Sequence, residues 1–483
     1  RVEGLPMNYI ARLAASFALL AGGLPAAELL VPSQYASIQM AVDSAGDGDI
    51  ITISPGTYVE NIKVKGSNLT FRSIEPANPT IRNSTIIRLP TNDSVFDFTK
   101  FPVSGESRFE GLYLRGLSSD FGGTIKGIPE VSIFVDGCVF FFCGALLEGG
   151  AIYNTKGTIK NSLFDQCTAG VARATDSFTL GAAIARFDGL IENCDFRENV
   201  SSGIPASNNS SVAGSGGAIG NSSGIIRNSR FSRNRATNRG GAISGFQGLI
   251  EDCFFEQNSA TFSGGALSAI ESGSIINQCV FVKNSAISVG AIRDSQAHTI
   301  NSVFISNRAS TGTAGVSSNT SGWYVNCIFY DNFAKIGGST LQGSYGRIQN
   351  CIFWGNNSGD GTLFDFLAYD PEFCLIQGWE PDDRGNINAP PSFIDPTLDA
   401  NNRPRDFRLR PDSPAIDRGL RVFDSGTSVS QALQFDADGN PRPVVNYPTD
   451  IFNRGDGFGT DIGAYEHQTV YEEIPRTELW LLR

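Results

Sequence analysis

His298, Trp323 and Arg347 each stand six positions ahead of a phenylalanine in three successive copies of a repeat, an imidazole, an indole and a guanidinium at one phase. One position after the phenylalanine, where other copies carry Asp165, Arg197, Ser232 or Glu256, stand Tyr330 and Trp354. Two outward rings on adjacent coils would form a flat platform. Aromatic rings stack on the apolar faces of sugars, and a groove along a solenoid suits a linear polymer. Tyr330, Trp354, Trp323, His298 and Arg347 are therefore the candidate ligand-binding residues. The alternatives are that the two platform rings pack beneath a loop or the C-terminal segment, and that the first column, which holds Leu190, Ile225, Leu249 and Ile275 elsewhere, is a buried corner.

Signals for catalysis are sparse, and no catalytic residue is assigned. The chain has two histidines, His298 and His467, neither in a Gly-His-Gly setting of the polygalacturonase kind, and Asp382-Asp383 lies in a Pro-rich loop. A polysaccharide lyase would need an Arg or Lys base with calcium held by acidic side chains. Arg186, Arg293 and Arg347 are the basic candidates near strands, but no acidic cluster accompanies them, and surface ion pairing is the expected role of each. The Asp-rich end, Asp436-Ala437-Asp438-Gly439-Asn440 and residues 450–461, offers oxygen ligands for Ca2+ without the full twelve-residue loop pattern. Asp and Gly turns explain it without metal, and that is the expected reading. No Cys-x-x-Cys or nearby His supports zinc, and no other cofactor is expected.

These residues ride on one repeated unit. Phe140, Phe164, Phe196, Phe231, Phe255, Phe281, Phe304, Phe329 and Phe353 recur at intervals of 23 to 35 residues. Self-similarity at that period marks a solenoid. Gly137, Asn161, Asn193, Asn228, Asp252, Gln278, Asn301, Asn326 and Asn350 stand three before each Phe, and Cys143, Cys167, Asn199, Asn234, Asn258, Asn284, Asn307, Asn332 and Asn356 three after it. Asn and Gly most readily adopt left-handed backbone, so both columns read as corners, and stacked Asn amides can hydrogen-bond along the column. Helical periodicity is missing, short apolar runs alternate, and Gly recurs seven before the Phe at Gly157, Gly189, Gly224, Gly248, Gly322 and Gly346. The pattern predicts short strands joined by tight turns. The expected fold is all-β, a right-handed parallel β-helix of single coils about 4.8 Å apart, with an N-terminal cap near residues 37–45 and an irregular C-terminal segment. Surplus residues at 170–179 and 201–215 should leave the solenoid as loops without shifting its register.

Cys138, Cys194, Cys253, Cys279, Cys327 and Cys351 fall two before the Phe and share that column with Ser162, Ser229 and Ser302, as small buried side chains do. Parallel neighbours hold their Cβ atoms slightly too far apart for relaxed disulfides, which favours free thiols. Cys143 and Cys167, adjacent in the corner column, are the expected disulfide exception.

Resemblance adds to this reading. The Gly-Gly-Ala-Ile and Phe-x-x-Asn motifs, as in Gly240 to Ile243 and Phe255 to Asn258, resemble the repeats of chlamydial polymorphic membrane proteins. That likeness covers roughly 220 of the 483 residues and implies a surface adhesin with a β-helical body. Upstream, Ser37-Ile38-Gln39, residues 48–58 and Glu60 resemble the opening of pectate-lyase-like secreted β-helices. Downstream, residues 412–419, Asp438-Gly439-Asn440-Pro441-Arg442 and Asp461-Ile462-Gly463-Ala464-Tyr465-Glu466 are similar to the closing segment of large bacterial secreted β-helix proteins.

Composition agrees with an exported solenoid. Charged residues make up 18%, net charge is −12 and 54 residues are Gly, which makes nucleic acid and anionic membranes poor partners. Met7, Arg12 and the apolar run 13–24 read as a signal peptide ending near Ala26 or Ala27, too short to span a bilayer. The expected organisation is residues 1–27 as leader and upstream residues, 28–130 as cap and first coils, 131–360 as regular repeats, and 361–483 as last coils and closing segment. The expected protein is a secreted or cell-surface monomer that binds a polysaccharide or cell-surface glycan without catalysis. A polysaccharide lyase or glycoside hydrolase, and a structural spacer, are the alternatives.

Overall fold

In the computed structural model, residues 26–90, 93–170, 179–203, 214–380, 382–420, 432–442 and 460–467 are described. The expected signal peptide and most of the two surplus loops lie outside them. The chain winds as a right-handed parallel β-helix. One sheet, here the Phe sheet, has 13 parallel strands from Gly56–Val59 to Leu375–Ile376, one per turn. A short sheet of 10 strands runs from Leu117–Phe121 to Asn357–Ser358. The third wall carries long strands, Ile152–Lys160, Ile184–Glu192, Ile219–Arg227 and Ile243–Glu251, which split into two shorter strands per coil afterwards.

Register is continuous. Phe140 pairs with Phe164, Phe164 with Phe196, and so on to Phe353 and then Ile376. The rings from Phe140 to Phe353 stack with centroids 4.5–5.0 Å apart and are fully buried. Both surplus segments preserve that register, with Thr168 opposite Val200 before the first and Ile184 opposite Ile219 after it.

The column three before the Phe is a corner, as expected: all nine residues have φ between 49° and 61°. The column three after it is different. The left-handed residue lies one position earlier, at Phe142, Gln166, Glu198, Arg233, Gln257, Lys283, Ser306, Asp331 and Gly355, with φ between 51° and 70°. The Asn that follows turns inward instead. From Asn199 to Asn356 each amide Nδ2 donates to the next Asn Oδ1 at 2.8–3.0 Å. Its second hydrogen goes to the Phe carbonyl of the preceding coil at 2.8–3.0 Å. Each Oδ1 from Asn234 to Asn356 also accepts the preceding Asn backbone N–H at 2.9–3.1 Å. Within the ladder two donors and two lone pairs are satisfied in the core, so the polar side chain is buried without penalty.

A third left-handed column, Asn154, Arg186, Asn221, Gly245, Ala269, Asp294, Asn319, Gly343 and Phe366, bends the long-strand wall with φ between 49° and 69°. The glycines seven before the Phe do not make turns in the long strands. A Cβ on Gly224 would lie 2.1 Å from the carbonyl oxygen of Gly189, so hydrogen is all that fits between touching coils.

Helix Ile38–Ser44 caps the first coil, burying Ile38, Ala41 and Val42. Ser37 caps its N-terminus, and Ile38 and Gln39 donate their N–H groups to the Glu60 carboxylate at 2.9 Å each.

All nine cysteines are buried free thiols, including Cys143 and Cys167, which corrects the expected disulfide. Their sulfurs instead lie against carbonyls of the preceding coil, Leu114 and Phe140, at 3.5 and 3.7 Å, and Cys167 N–H donates to Asn199 to begin the ladder. Cys374 extends the Cys/Ser column beyond Cys351. Burial pushes the Cys138 and Cys194 thiols up to about 12, where thiolate is negligible. Titration with a disulfide reagent should find no fast-reacting thiol in the native protein and nine after denaturation; seven would restore the Cys143–Cys167 bond.

Removing a ring or an amide from the stack should be costly. Phe255→Ala should lower stability by about 3–5 kcal/mol through an internal cavity. Asn284→Ala leaves the Phe255 carbonyl and the Asn258 amide open, costing about 1–3 kcal/mol for each. Denaturant unfolding of both variants measures this, and losses under 1 kcal/mol would show that the stack is not what holds the coils.

Candidate functional site

Along the last coils the long-strand wall bends, and its outward side chains gather on one ledge. His298, Trp323 and Arg347 lie on successive coils because Thr299 pairs with Tyr324 and Tyr324 with Ile348. The His298 and Trp323 rings meet edge to face at 4.8 Å. Trp323 donates its backbone N–H to His298 Nδ1 at 3.2 Å, which selects the neutral tautomer with hydrogen on Nε2. The Arg347 guanidinium lies 5.4 Å from the Trp323 ring centroid, a cation–π arrangement, with no carboxylate within 4.0 Å among the described residues. The column is half covered. Trp323 and Leu249 pack with Ile275, Ile300, Val325 and Leu433, while Arg347 is exposed. The three residues aligned by spacing thus share one column on successive coils.

The ledge continues through three rings that the repeat phase does not flag. Tyr345 is 57% exposed, Phe366 78% and Tyr369 59%. The Tyr345 hydroxyl reaches back over Gly343, 4.0 Å from where a Cβ would sit. Phe366 takes the last place in the third left-handed column, φ 53°, where bulky side chains are strained by about 1–3 kcal/mol. Such a side chain, strained and open to water, does nothing for folding. Beside it runs an outward polar ladder on consecutive coils, Arg293 to Ser318 at 3.5 Å, Ser318 to Gln342 at 3.3 Å and Gln342 to Asp365 at 2.9 Å.

Tyr330 and Trp354 fall elsewhere. They point outward from the Phe sheet, but the C-terminal hairpin, strands Phe393–Leu398 and Pro404–Leu409, lies over them. Tyr330 meets Phe393 and Phe407 edge to face at 6.0 and 5.3 Å. The bare flat platform is therefore not present, because the outer face is apolar over five coils. Val280, Val303, Ile328, Ile352 and Leu375 stand there where Asp195 and Arg230 stand in earlier coils, and the hairpin buries that stripe. The corner column helps dock the closing segment. Asn350 exchanges hydrogen bonds with Leu420 at 2.7 and 2.8 Å, and Asn301 donates to the Ala432 and Phe435 carbonyls at 2.9 and 2.8 Å.

Two of the three basic candidates for catalysis are engaged in ion pairs. Arg186 pairs with Glu148 at 2.6 Å, and that hydrogen bond raises its pKa. Arg293 pairs with Asp294 at 2.9 Å. Asp382 accepts from Asn386, Trp379 Nε1 and the Arg384 backbone within a turn. In the Asp-rich end, Asp436 accepts the backbone N–H of Asp438, Asn440 and Glu466 at 2.7–2.9 Å, and Asp461 accepts those of Asp417 and His467 at 2.8 and 2.7 Å. Burial raises the Glu466 carboxyl to about 7, a rise that Arg442, paired with it at 2.6 Å, opposes. No group of three or more His, Cys, Asp or Glu placed to hold an ion occurs among the described residues. Of the region 450–461, all but the last two residues lie outside them.

No family model and no curated protein sequence matches the chain. Several solved structures are similar to the chain, three of them as follows. Pectate lyase Pel9A is 12% identical, with 92% of this chain and 97% of that one covered at a TM-score of 0.32. PfbA, a surface adhesin of Streptococcus pneumoniae, is 13% identical, with coverage of 74% and 92% at 0.30. ORF18 of Geobacillus virus E2 is 12% identical at 0.31, and the chain, 76% covered, spans only 65% of its length.

Because Tyr330 is an anchor for the hairpin, Tyr330→Ala should cost about 2–4 kcal/mol in the docking of residues 393–409, in line with other buried-aromatic truncations. Faster amide exchange confined to that hairpin is the expected readout; unchanged exchange would return Tyr330 to an exposed role.

Proposed function

We propose that this protein is a secreted or cell-surface solenoid that binds a linear glycan along the ledge of its last coils without cleaving it. The observation that carries this reading is the row of open rings, Tyr345, Phe366 and Tyr369, beside the Trp323–Arg347 stack. Water-exposed rings next to a ladder of amide, hydroxyl and carboxylate groups offer a sugar both a face to stack on and partners for its hydroxyls. The repeat likeness to chlamydial surface adhesins agrees with a display role, and the β-helix serves as its rigid arm. No described helix is long and apolar enough to cross a membrane. A net charge of −12 favours neutral polymers over acidic ones. Lyase chemistry on Arg186 is disfavoured, since the Glu148 carboxylate that holds its guanidinium raises its pKa, opposite to what a base requires, and the Arg293 guanidinium is occupied by Asp294. The protein is expected to act as a monomer.

Affinity electrophoresis through neutral β-glucan, mannan and polygalacturonate tests the reading. Retardation by a neutral polymer should fall by about 1–3 kcal/mol per ring in Tyr345→Ala and Tyr369→Ala, by analogy with stacking on other aromatic platforms. Both variants should keep the parent melting temperature, because these rings bury little. Undiminished retardation, or release of unsaturated ends from polygalacturonate, would overturn it.

A further inference from the structure

Where the hairpin's apolar footprint ends, its tip overhangs the charged part of the Phe sheet and encloses a cleft of about 510 Å³. The floor is made of outward residues, Asp195, Arg230, Phe254 and Val280, with the corner residues Asn193, Asn228 and Asp252 along one side and Arg403 and Pro404 of the hairpin above. The overhang is fixed in place. Asn402 at the tip donates to Glu256 at 2.8 Å and accepts from Lys283 at 2.6 Å, while Arg230 holds the other Glu256 oxygen at 2.5 Å. Asp195 gives one oxygen to Arg197 at 2.6 Å.

Two charges in the cleft are left open. Among the described residues neither Asp252 nor Arg403 forms an ion pair, and they belong to opposite walls, one on the solenoid and one on the hairpin. In addition, among the described residues Asp195 Oδ1 and Arg230 Nε, a buried acceptor and a buried donor, have no hydrogen-bond partner. A lining that carries an acceptor and a donor without ion pairs, with the partly exposed Phe254 ring, suits a guest that donates and accepts through neighbouring groups and has an apolar face. A pyranose has that chemistry: adjacent hydroxyls for a carboxylate and a guanidinium, and C–H groups for the ring. We propose that this cleft is a second carbohydrate site, for a single neutral sugar residue, with Asp252 accepting from its hydroxyls, Arg403 donating to them and Phe254 beneath. The ligand class rests on the glycan reading above, but the site is separate from the ledge.

Saturation-transfer NMR with the methyl glycosides of glucose, galactose and mannose, and with free glycine as a zwitterionic probe, tests this on the full chain. Asp252→Asn is a safe variant, because its φ of 49° is one that Asn adopts at six other places in the same column. At least one glycoside should bind, and its affinity should fall at least tenfold in Asp252→Asn and in Arg403→Gln with the melting temperature unchanged. Glycoside binding that survives both substitutions, or binding of glycine alone, would overturn the assignment. If polymer binds along the ledge and no glycoside binds, this inference alone falls; if neither form of sugar binds, both readings fall.

Discussion

One amide repeated on consecutive coils sets the rest of this molecule. Each inner Asn of the ladder must satisfy two donors and two lone pairs away from water: an identical Asn one coil above and one below meets three of them, and the Phe carbonyl of the preceding coil meets the fourth. A slip of one residue in register would strand those groups and swing every Phe to the outside. The ring stack beside the ladder supplies burial, but rings tolerate sliding; amides do not. Hydrogen bonding therefore selects the register, and hydrophobic burial stabilises what has been selected.

A fixed register makes each outward position a column, and a column can be specialised coil by coil. On the Phe sheet the outer column changes from Asp195 and Arg230 to Val280, Val303, Ile328, Ile352 and Leu375, and the hairpin settles on the apolar part. The boundary between the two regimes leaves the overhang and its cleft. On the long-strand wall the third left-handed column stays open to solvent, so its last coils can carry Phe366, with Tyr345 and Tyr369 nearby, at no cost to the core. Site and scaffold are separable because the core never depends on what the outer columns hold.

The sequence made some of this legible for physical reasons. Phe recurs because one inward place per turn must be filled, and Asn recurs three before it because left-handed backbone excludes most side chains there. The second left-handed column carries no residue-type signal, because it is mostly occupied by long polar side chains such as Gln166, Glu198, Arg233 and Lys283 rather than by Asn or Gly. The inner Asn column keeps the corner's period but sits one residue after the corner itself, which spacing alone does not separate. His298, Trp323 and Arg347 could be aligned from spacing alone, since stacking follows from register. The covering of Tyr330 could not, because it depends on Phe407, 77 residues away in sequence, docking from a segment outside the repeat. Tyr345, Phe366 and Tyr369 lie between the repeat's fixed positions, and nothing local in their spacing distinguishes an open ring from a covered one.

The most direct test of this account is residue-resolved amide hydrogen exchange. The backbone N–H groups of Asn234, Asn258, Asn284, Asn307 and Asn332 each donate to the next Asn side chain rather than into a strand ladder. If the amide column sets the register, these five should exchange only through global unfolding, with one shared protection factor equal to that of the Phe-column strands. Exchange of the five at differing rates, faster than the strands on either side, would show that the coils are held without them and would contradict the account.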